Sequence, residues 1–395
     1  MKSVELFVGA GGLALGSARA GFDHSIVVEK DANACRTLRR NQINGVEHVR
    51  DWKLIEGVVE DHDFAGFAGT VEFVSGGPPC QPFSLGGKHR GRDDRRDMFP
   101  QAVRVVREIR PKAFLFENVK GLLRQNFANY FAYIIHQLRH PEVVREGDEE
   151  WTHHLSRLER IHTVGEAVGL TYNVVHQLLD AADCGVPQHR HRVLIVGIRS
   201  DLGAEFSFPG ATHERDALLH AKWVSGEYWE RHRIAKARRP SADPRDRTRI
   251  ESLRSLSPVM MARPWCTVRD ALDGLPRIEV GETCSKIANH FLNPGAKSYP
   301  GHTGSPYDEP AKALKAGDHG VPGGENTLRL EDGSVRYLSV RECARLQTFP
   351  DEWVFEGSWT ESMRQLGNAV PVELATAVAS RLIGVLHAGQ ASNSG

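Results

Sequence analysis

One cysteine of this chain lies in a rigid setting that suits a reactive group. Cys80 stands within Ser75-Gly-Gly-Pro-Pro-Cys-Gln-Pro-Phe-Ser84, directly after an apolar run of strand length. Prolines fix the backbone on both sides of it, and α/β enzymes place their chemistry at the carboxyl ends of strands. A thiolate formed there would be a nucleophile. The other five cysteines form no C-x-x-C pair, so we expect small buried side chains, with no disulfide framework and no metal site.

A glycine-rich turn near the N-terminus is the second candidate for chemistry. Glu5–Gly16 reads as a strand, a turn and the start of a helix. Glycines let the backbone approach a ligand, and the helix start offers free N–H groups. Glu29 follows about 20 residues later, where an acidic side chain accepts hydrogen bonds from ribose hydroxyls. The turn predicts a nucleoside ligand, and because Gly9-x-Gly11-x-x-Ala14 also fits a loose dinucleotide pattern, NAD remains an alternative.

Two further groups of polar residues flank apolar runs. Glu117 follows Ala113–Phe116, and Gln188, Arg190 and Arg192 precede Val193–Val196. Desolvation at the end of a buried strand would raise the pKa of Glu117, which would let it donate a proton near neutral pH. Arginine offers fixed donor geometry, and strand alternation should aim Arg190 and Arg192 at the same face.

These residues need a sheet to bring them together, and the first 200 residues supply its pattern. Runs that are apolar throughout suit strands covered on both faces, and helix-like stretches such as Asp31–Asn41 and Phe99–Arg110 separate them. The strand-like runs are Val4–Val8, Ile26–Val28, Val71–Ser75, Ala113–Phe116 and Val193–Val196. The alternation predicts an α/β fold with a doubly wound, mostly parallel sheet.

Composition excludes several classes of protein. The 395 residues carry 50 basic and 50 acidic side chains, so the net charge is zero and a histone-like mode of DNA binding is excluded. We find no run of about 18 apolar residues and therefore expect no membrane span. The N-terminus lacks the layout of a signal peptide, which predicts a cytoplasmic protein.

The strand pattern stops after about residue 200 and resumes near Tyr337. Residues 201–335 carry many turn residues, and within Arg231–Arg254 nine Lys or Arg stand against three acids. That segment is either a solvated surface or a phosphate-contacting one. Ser339 and Glu342 form a capping-box pattern that opens a helix, and Pro371 suits the start of a final helix. We therefore predict one catalytic domain, 1–200 plus 336–395, interrupted by a domain at 201–335.

Six motifs in a fixed order identify a resemblance. The cysteine run and the glycine turn are joined by Phe116-Glu-Asn-Val119, Gln188-His-Arg-His-Arg192, Arg341–Pro350 and Gln365-Leu-Gly-Asn-Ala-Val-Pro371. Together they resemble the C5-cytosine-specific DNA methyltransferases, in particular the bacterial restriction-modification type. The likeness covers about 1–200 and 336–385. It implies a Rossmann-like fold of the class I type that uses S-adenosylmethionine, with 201–335 as the target-recognition, DNA-binding domain.

The resemblance implies a role for each matching residue. Cys80 would add to C6 of a flipped-out cytosine, Glu117 would act at N3, Arg192 would hold O2 and Arg190 would steady the cysteine loop. The donor pocket would be formed by Phe7, Gly9, Gly11, Gly12, Leu13, Glu29, Lys30, Asp51, Trp52, Pro79, Met98, Asn368 and Val370. Contacts with substrate or DNA would come from Gln81, Ser84, Lys88, Arg90 and Gln188. Within the inserted domain, we look for base contacts in 285–335, which includes Lys286, His290 and Arg329.

The implied function is methyl transfer from S-adenosylmethionine to C5 of cytosine in a specific double-stranded DNA sequence, with S-adenosylhomocysteine as the product. It would protect host DNA from a cognate restriction endonuclease. The same motifs serve an RNA cytosine methyltransferase, which acts on transfer RNA, and this is the nearest alternative. An NAD-dependent dehydrogenase would use the glycine turn but leaves the cysteine loop and the arginine pair without a role.

Overall fold

A seven-stranded sheet forms the centre of the protein. The computed structural model describes residues 1–79, 97–165, 169–255, 261–298, 303–317 and 326–392. The strands are β1 (Lys2–Leu6), β2 (Asp23–Glu29), β3 (Leu54–Glu56), β4 (Phe73–Gly76), β5 (Ala113–Val119), β6 (Tyr172–Asp180) and β7 (His191–Arg199). Their spatial order is β3-β2-β1-β4-β5-β7-β6. Only β7 runs antiparallel to its neighbours in this sheet, so the predicted mostly parallel α/β fold is confirmed.

The sequence pattern identified the buried strands and missed the outer ones. Residues 113–116 of β5 are completely buried, as a run that is apolar throughout predicts for a central strand. The unpredicted strands β3 and β6 lie at the two edges of the sheet. β3 has only three residues, and β6 leaves several side chains exposed. Edge strands are covered less, so their sequences carry a weaker apolar signal.

Helices cover both faces of the sheet and build the insert. They are α1 (Gly12–Arg19), α2 (Ala32–Ile43), α3 (Phe99–Ile109), α4 (Ala128–Arg139), α5 (Trp151–Val164), α6 (Arg215–Trp223), α7 (Glu227–Arg231), α8 (Arg247–Leu253), α9 (Val268–Leu272), α10 (Val340–Leu346), α11 (Trp359–Asn368) and α12 (Val372–Ser392). The capping box predicted at Ser339 and Glu342 opens α10, with Ser339 N donating to Glu342 Oε2 at 2.8 Å. The last helix, α12, begins directly after Pro371.

The insert carries two small sheets, and its ends pack into the main core. β8 (His213–Glu214) pairs with β9 (Arg263–Pro264), and β10 (Thr327–Arg329) pairs with β11 (Val335–Tyr337). Phe206 packs in the same apolar cluster as Leu382 of α12. Val268 and Leu314 pack in one cluster with Ala14 of α1. The apolar core therefore crosses both predicted boundaries of the 201–335 domain.

The C-terminal helices form the most apolar stretch of the described chain. Residues 359–389 are long and apolar enough to cross a membrane by length and composition, although more than half of that stretch is buried inside the protein. α12 lies directly on α1, and a Cβ added at Gly16 would meet the Ala375 Cβ at 2.4 Å. This close helix packing accounts for the apolar character of α12, because a core helix needs the same composition.

Candidate active site

A cavity of about 480 Å³ opens at the carboxyl edge of the sheet. Its wall comes from the segments that follow β1, β2, β3 and β4, from the end of β5, from Arg192 on β7 and from the end of α11. Ligand sites of open α/β sheets lie at this edge, and the volume is within the range of small-molecule pockets. Ten of the thirteen predicted donor-site residues line it: Phe7, Gly9, Gly12, Leu13, Glu29, Lys30, Pro79, Met98, Asn368 and Val370.

The glycine turn after β1 gives the cavity its floor. Gly9 has a φ of 55°, and a Cβ added there would meet nothing within 4 Å, so its backbone is open to a ligand. Gly12, in contrast, is tightly packed, because a Cβ added there would lie 2.1 Å from the Val370 carbonyl oxygen. Gly11 faces away from the cavity, toward Leu38 and Trp353. Gly11 is not among the residues that line the cavity, and its predicted contact with the donor stays a prediction.

Glu29 is held in place by backbone amides. Its Oε2 accepts a hydrogen bond from Gly9 N at 2.7 Å, and its Oε1 accepts from Lys30 N at 2.9 Å and Asp31 N at 2.7 Å. Burial nevertheless raises the pKa of Glu29, against the effect of these donors. The carboxyl group is thus fixed at the end of β2, on the cavity wall, where the sequence predicted a ribose contact.

Asp51 and Trp52 lie away from this wall, contrary to the expectation for an adenine contact. The Asp51 side chain is 85% exposed and lies beside Arg50, while Trp52 is buried against the ring of His24. Both precede β3, whereas the cavity lies at the carboxyl ends of the strands. The segment after β3, residues 57–60, lines the cavity instead. Sequence reasoning missed it because it did not recognise β3.

Glu117 and Arg192 form a buried ion pair at the other side of the cavity. β5 and β7 are antiparallel neighbours, with Val119 opposite Arg192. Arg192 Nε lies 2.6 Å from Glu117 Oε1, and the two side chains are 12% and 9% exposed. Burial raises the pKa of Glu117, although Arg192 and Arg190 act in the opposite direction. A carboxyl group with a raised pKa and a guanidinium thus stand side by side on the cavity wall.

The chain ends that flank the cysteine loop meet at the same cavity. Met98 N donates to the Pro79 carbonyl at 3.0 Å, and both residues line the cavity. Asn118 Nδ2 donates to the Pro78 carbonyl at 2.9 Å, which ties the end of β5 to this segment. Cys80, Gln81, Ser84, Lys88 and Arg90 lie outside the described residues, so their predicted roles stay predictions.

Gln188 and Arg190 are buried structural residues. Gln188 is completely buried; its Nε2 donates to the Leu346 carbonyl at 3.1 Å, and its Oε1 accepts from Leu314 N at 3.0 Å. Both the nitrogen and the oxygen of this side-chain amide are hydrogen-bonded within the protein and shielded from solvent. The amide therefore cannot reach DNA, and the expectation of a DNA contact at Gln188 is wrong. Arg190 donates to the Leu314 and Gly367 carbonyls at 2.9 and 2.5 Å. These described bonds tie the insert and α11 to β7.

Burial raises the pKa of four of the five described cysteines, Cys35, Cys184, Cys266 and Cys343. All five are free thiols, and Cys35 and Cys343 are completely buried. Burial and nearby carboxylates raise the pKa of Cys35 to about 12 and that of Cys184 to about 11. A thiol with a raised pKa forms little thiolate at neutral pH. Cys80 therefore remains the candidate nucleophile that the sequence predicts.

Much of the positive charge of the insert is paired. Five arginines of the 231–254 segment lie beside carboxylates: Arg231 beside Asp270, Arg238 beside Glu331, Arg245 beside Asp243, Arg249 beside Asp216 and Arg254 beside Glu251. His290, expected among the base-contacting residues, is buried and bonds Ser339 and the Pro276 carbonyl. Its proposed contact with a base is wrong, because it fixes the segment before α10 instead.

Comparisons with known proteins agree with this architecture. The sequence model of the C-5 cytosine-specific DNA methylase family matches residues 1–141 and 152–384. The chain is 32% identical over 386 residues to the Type II methyltransferase M.Eco47II of Escherichia coli, covering 97% of this chain and 79% of that protein. It is 33% identical over 391 residues to the Type II methyltransferase M.PspPI of Psychrobacter sp. strain TA137, covering 98% and 79%.

Solved structures share the fold. A putative DNA modification methyltransferase encoded within a prophage of E. coli superposes with a TM-score of 0.60 at 22% identity, covering 98% of this chain and 99% of that one. The Dnmt2 methyltransferase of S. pombe gives 0.54 at 16% identity, with the same coverage. The family match spans most of the sequence and contains both sides of the cavity. This chain belongs to the C-5 cytosine-specific DNA methylase family, which confirms the predicted enzyme class, a DNA cytosine-5-methyltransferase.

Proposed function

We propose that this protein transfers a methyl group from S-adenosylmethionine to C5 of a cytosine within a specific double-stranded DNA sequence. The observation that carries the proposal is the arrangement of one cavity. Glu29 and the glycine turn stand at one side, and the Glu117–Arg192 pair stands at the other. Pro79 also lines this cavity, and Cys80 is the next residue in the chain. A donor and a base could therefore meet between them.

The residues present fit the methyl donor. The open backbone at Gly9 leaves room for a ligand, Glu29 provides a fixed acceptor for ribose hydroxyls, and residues 57–60 after β3 are placed to enclose an adenine. S-adenosylmethionine supplies an electrophilic methyl group when it is bound. Leu13, Met98, Asn368 and Val370 would complete the walls around it.

Carbon 5 of cytosine is a weak nucleophile, so the chain has to activate the base. The Cys80 thiolate would form a bond to C6, which moves electron density through the ring and makes C5 nucleophilic. Glu117 would donate a proton or a hydrogen bond to N3, and Arg192 would hold O2. After methyl transfer, loss of the C5 proton and departure of the thiolate restore the ring. Neighbouring stacked bases block this approach, so the nucleotide must be extruded from the duplex.

The nearest alternative substrate is RNA, whereas membership of the methylase family removes the dehydrogenase alternative. The inserted segments between β7 and α10 suit recognition of a duplex, and similar Type II methyltransferases belong to restriction-modification systems. We propose that the protein works in the cytoplasm and protects DNA from a cognate endonuclease.

Expression in a bacterial host that lacks DNA methylation, followed by conversion sequencing of its genome, tests the function directly. The expected result is C5-methylated cytosine at one recurrent sequence, and none with Cys80→Ser. Labelled-methyl transfer to duplex DNA and to transfer RNA should be compared in parallel. Methylation of transfer RNA alone, or full activity of Cys80→Ser, would overturn the proposal.

A further inference from the structure

Five carboxyl groups line the cavity, and the three buried ones, Glu5, Glu29 and Glu117, differ in what surrounds them. Glu29 is met by three backbone amides, and Glu117 is met by Arg192. Glu5 on β1 has neither kind of partner among the residues that the structure describes. Its Oε2 accepts a hydrogen bond from the hydroxyl of Ser75, its register partner on β4. A hydroxyl is a neutral group, so it compensates a negative charge poorly.

Glu5 is also almost fully shielded from water. The residue is 1% exposed and is one of the residues that line the cavity. Burial raises the pKa of Glu5 to about 8, against the smaller effect of Ser75. The side chain is therefore mostly protonated at neutral pH while the cavity is empty of cations.

The other charged groups on the cavity wall leave this state unchanged. They are Glu29, Lys30 and Asp31 after β2, Glu60 after β3, Glu117 on β5, Arg192 on β7 and Arg364 on α11. Arg192 is engaged by Glu117, and Arg364 is engaged by Asp31 and Glu361. Lys30 is exposed to solvent. The cationic side chains on the cavity wall thus are paired with other carboxylates or belong to an exposed residue. In the described structure none of them is paired with Glu5.

Strand order gives the place of Glu5 relative to the ligand. The order β3-β2-β1-β4-β5-β7 puts β1 between Glu29 on β2 and the segment that leads from β4 to Cys80. In the proposed function the ribose lies at Glu29 and the base lies at Glu117 and Arg192. The sulfonium centre must lie between them, because its methyl group has to reach the base. That position is above β1.

We propose that Glu5 supplies the negative charge that balances the sulfonium cation of the methyl donor, so that binding of the donor releases a proton from this side chain. The inference rests on the proposed function and adds a means of distinguishing donor from product. The protonated carboxyl group loses H⁺ to the solvent as the cation enters, and the carboxylate and the sulfonium form an ion pair. S-adenosylhomocysteine has no sulfonium charge, so Glu5 takes up a proton again when the product replaces the donor.

Titration calorimetry in several buffers of different ionisation enthalpy measures this proton directly. At about pH 7, binding of S-adenosylmethionine to the full-length protein should release close to one proton, and binding of S-adenosylhomocysteine should release far less. Between about pH 7 and pH 9, the affinity for the donor should rise about tenfold relative to that for the product, since one pKa unit corresponds to a factor of ten.

Two variants at position 5 make the test specific. Glu5→Gln keeps the size and the Ser75 contact but cannot ionise, so proton release and its pH dependence should disappear while both ligands still bind. Glu5→Asp is the matched control, because it keeps a carboxyl group and should retain the release. An infrared difference spectrum of the wild type gives a second readout, in which the band of a protonated carboxyl group should vanish when the donor is added.

The outcomes separate the inference from the proposed function. Donor binding and DNA methylation without proton release would overturn the inference alone, and so would equal proton release by Glu5→Gln. A protein that binds neither ligand would overturn the proposed function, and the inference with it. If Glu5→Gln fails to fold, the buffer series and the infrared band of the wild type still decide the question.

Discussion

The Glu117–Arg192 pair shows how single residues acquire a chemical role from their surroundings. Both side chains are almost buried, and they lie 2.6 Å apart at the end of β5 and the start of β7. Burial favours the neutral form of Glu117, and the adjacent guanidinium favours the charged one. The raised pKa means that burial prevails in the protein without substrate. Burial thus shifts Glu117 toward its protonated form beside an arginine, in the cavity that contains the glycine turn.

Glu117→Gln should lower turnover by about 10²–10⁴-fold, the range of general acid catalysis. The amide cannot deliver a proton to N3, although it can still donate a hydrogen bond. Steady-state methylation of duplex DNA measures the loss, and calorimetry with the donor alone is the control, which should change much less. In the wild type, turnover should fall as pH rises above the pKa of Glu117, because the carboxyl group is then ionised. Full turnover by the glutamine variant would remove Glu117 from the mechanism.

The glycine turn gives a prediction about packing. Gly12→Ala would place a methyl group 2.1 Å from the Val370 carbonyl oxygen, so the segment between α11 and α12 must shift, at a cost of about 1–3 kcal/mol. Gly9→Ala meets no atom and adds only the backbone strain of a positive φ, about 1–2 kcal/mol. Urea unfolding of the two variants should show the larger loss for Gly12→Ala. Equal losses would mean that the turn does not pack on residue 370 as described.

At the level of elements, the segment that enters β7 joins three parts of the molecule. Gln188 bonds the return segment of the insert and α10, Arg190 bonds that segment and α11, and Arg192 bonds Glu117 on β5. Of these three alternating residues, Gln188 and Arg190 hold elements of the fold together, whereas Arg192 lines the cavity beside Glu117. Because the insert is tied to the strand that carries Arg192, the position of the insert is coupled to the edge of the sheet where the cavity lies.

Gln188→Met tests this structural role. The change keeps the volume but leaves the Leu346 carbonyl and Leu314 N–H without their partner, and each unsatisfied buried group costs about 1–3 kcal/mol. We expect a lower midpoint in urea, measured by circular dichroism. The salt dependence of DNA binding should stay as in the wild type, since a residue shielded from solvent makes no phosphate contact. Weaker DNA binding at unchanged stability would restore the original interpretation of Gln188.

For the whole molecule, buried histidines set the response to acid. Burial lowers the pKa of His24, His136 and His140 to about 4. His24 lies on β2, and its side chain is hydrogen-bonded to Ser3 of β1 and to the Ala14 carbonyl of α1. The unfolded chain takes up protons near pH 6.5, whereas the folded protein resists them until about pH 4. Neutral histidines therefore stabilise the fold above pH 6.5, and this contribution is lost as pH falls toward 4.

The free energy of unfolding should therefore fall below about pH 6.5, with His24 alone contributing up to about 3 kcal/mol by pH 4. Glu5 acts in the opposite direction, because its raised pKa favours the folded state most below about pH 4.5 and loses that effect as pH rises through 8. Urea titrations at a series of pH values measure the sum. His24→Gln should reduce the slope on the acid side; an unchanged slope would show that His24 is not the group that titrates.

How much the sequence could predict depended on how local each signal is. The apolar runs of the central strands, the capping box at Ser339 and the glycine turn are patterns within a few residues, and all three stand in the structure where the sequence placed them. β3 was too short to recognise, so the sequence offered Asp51 and Trp52, which precede it, and missed residues 57–60, which line the cavity. Burial of Gln188 and His290 was equally invisible, because their bonds to Leu346 and Ser339 join residues that are 158 and 49 positions apart in the chain.

The sequence by itself determined the order of the motifs, the alternation of strands and helices and thus the family, because these are properties of spacing and residue type. Only the tertiary structure decided which polar residues share a cavity and which are buried in packing contacts. Glu5, Glu29 and Glu117 are spread over more than a hundred residues, yet they line one cavity because β1, β2 and β5 end at the same edge. Charge, burial and hydrogen bonding at such positions depend on neighbours from other strands.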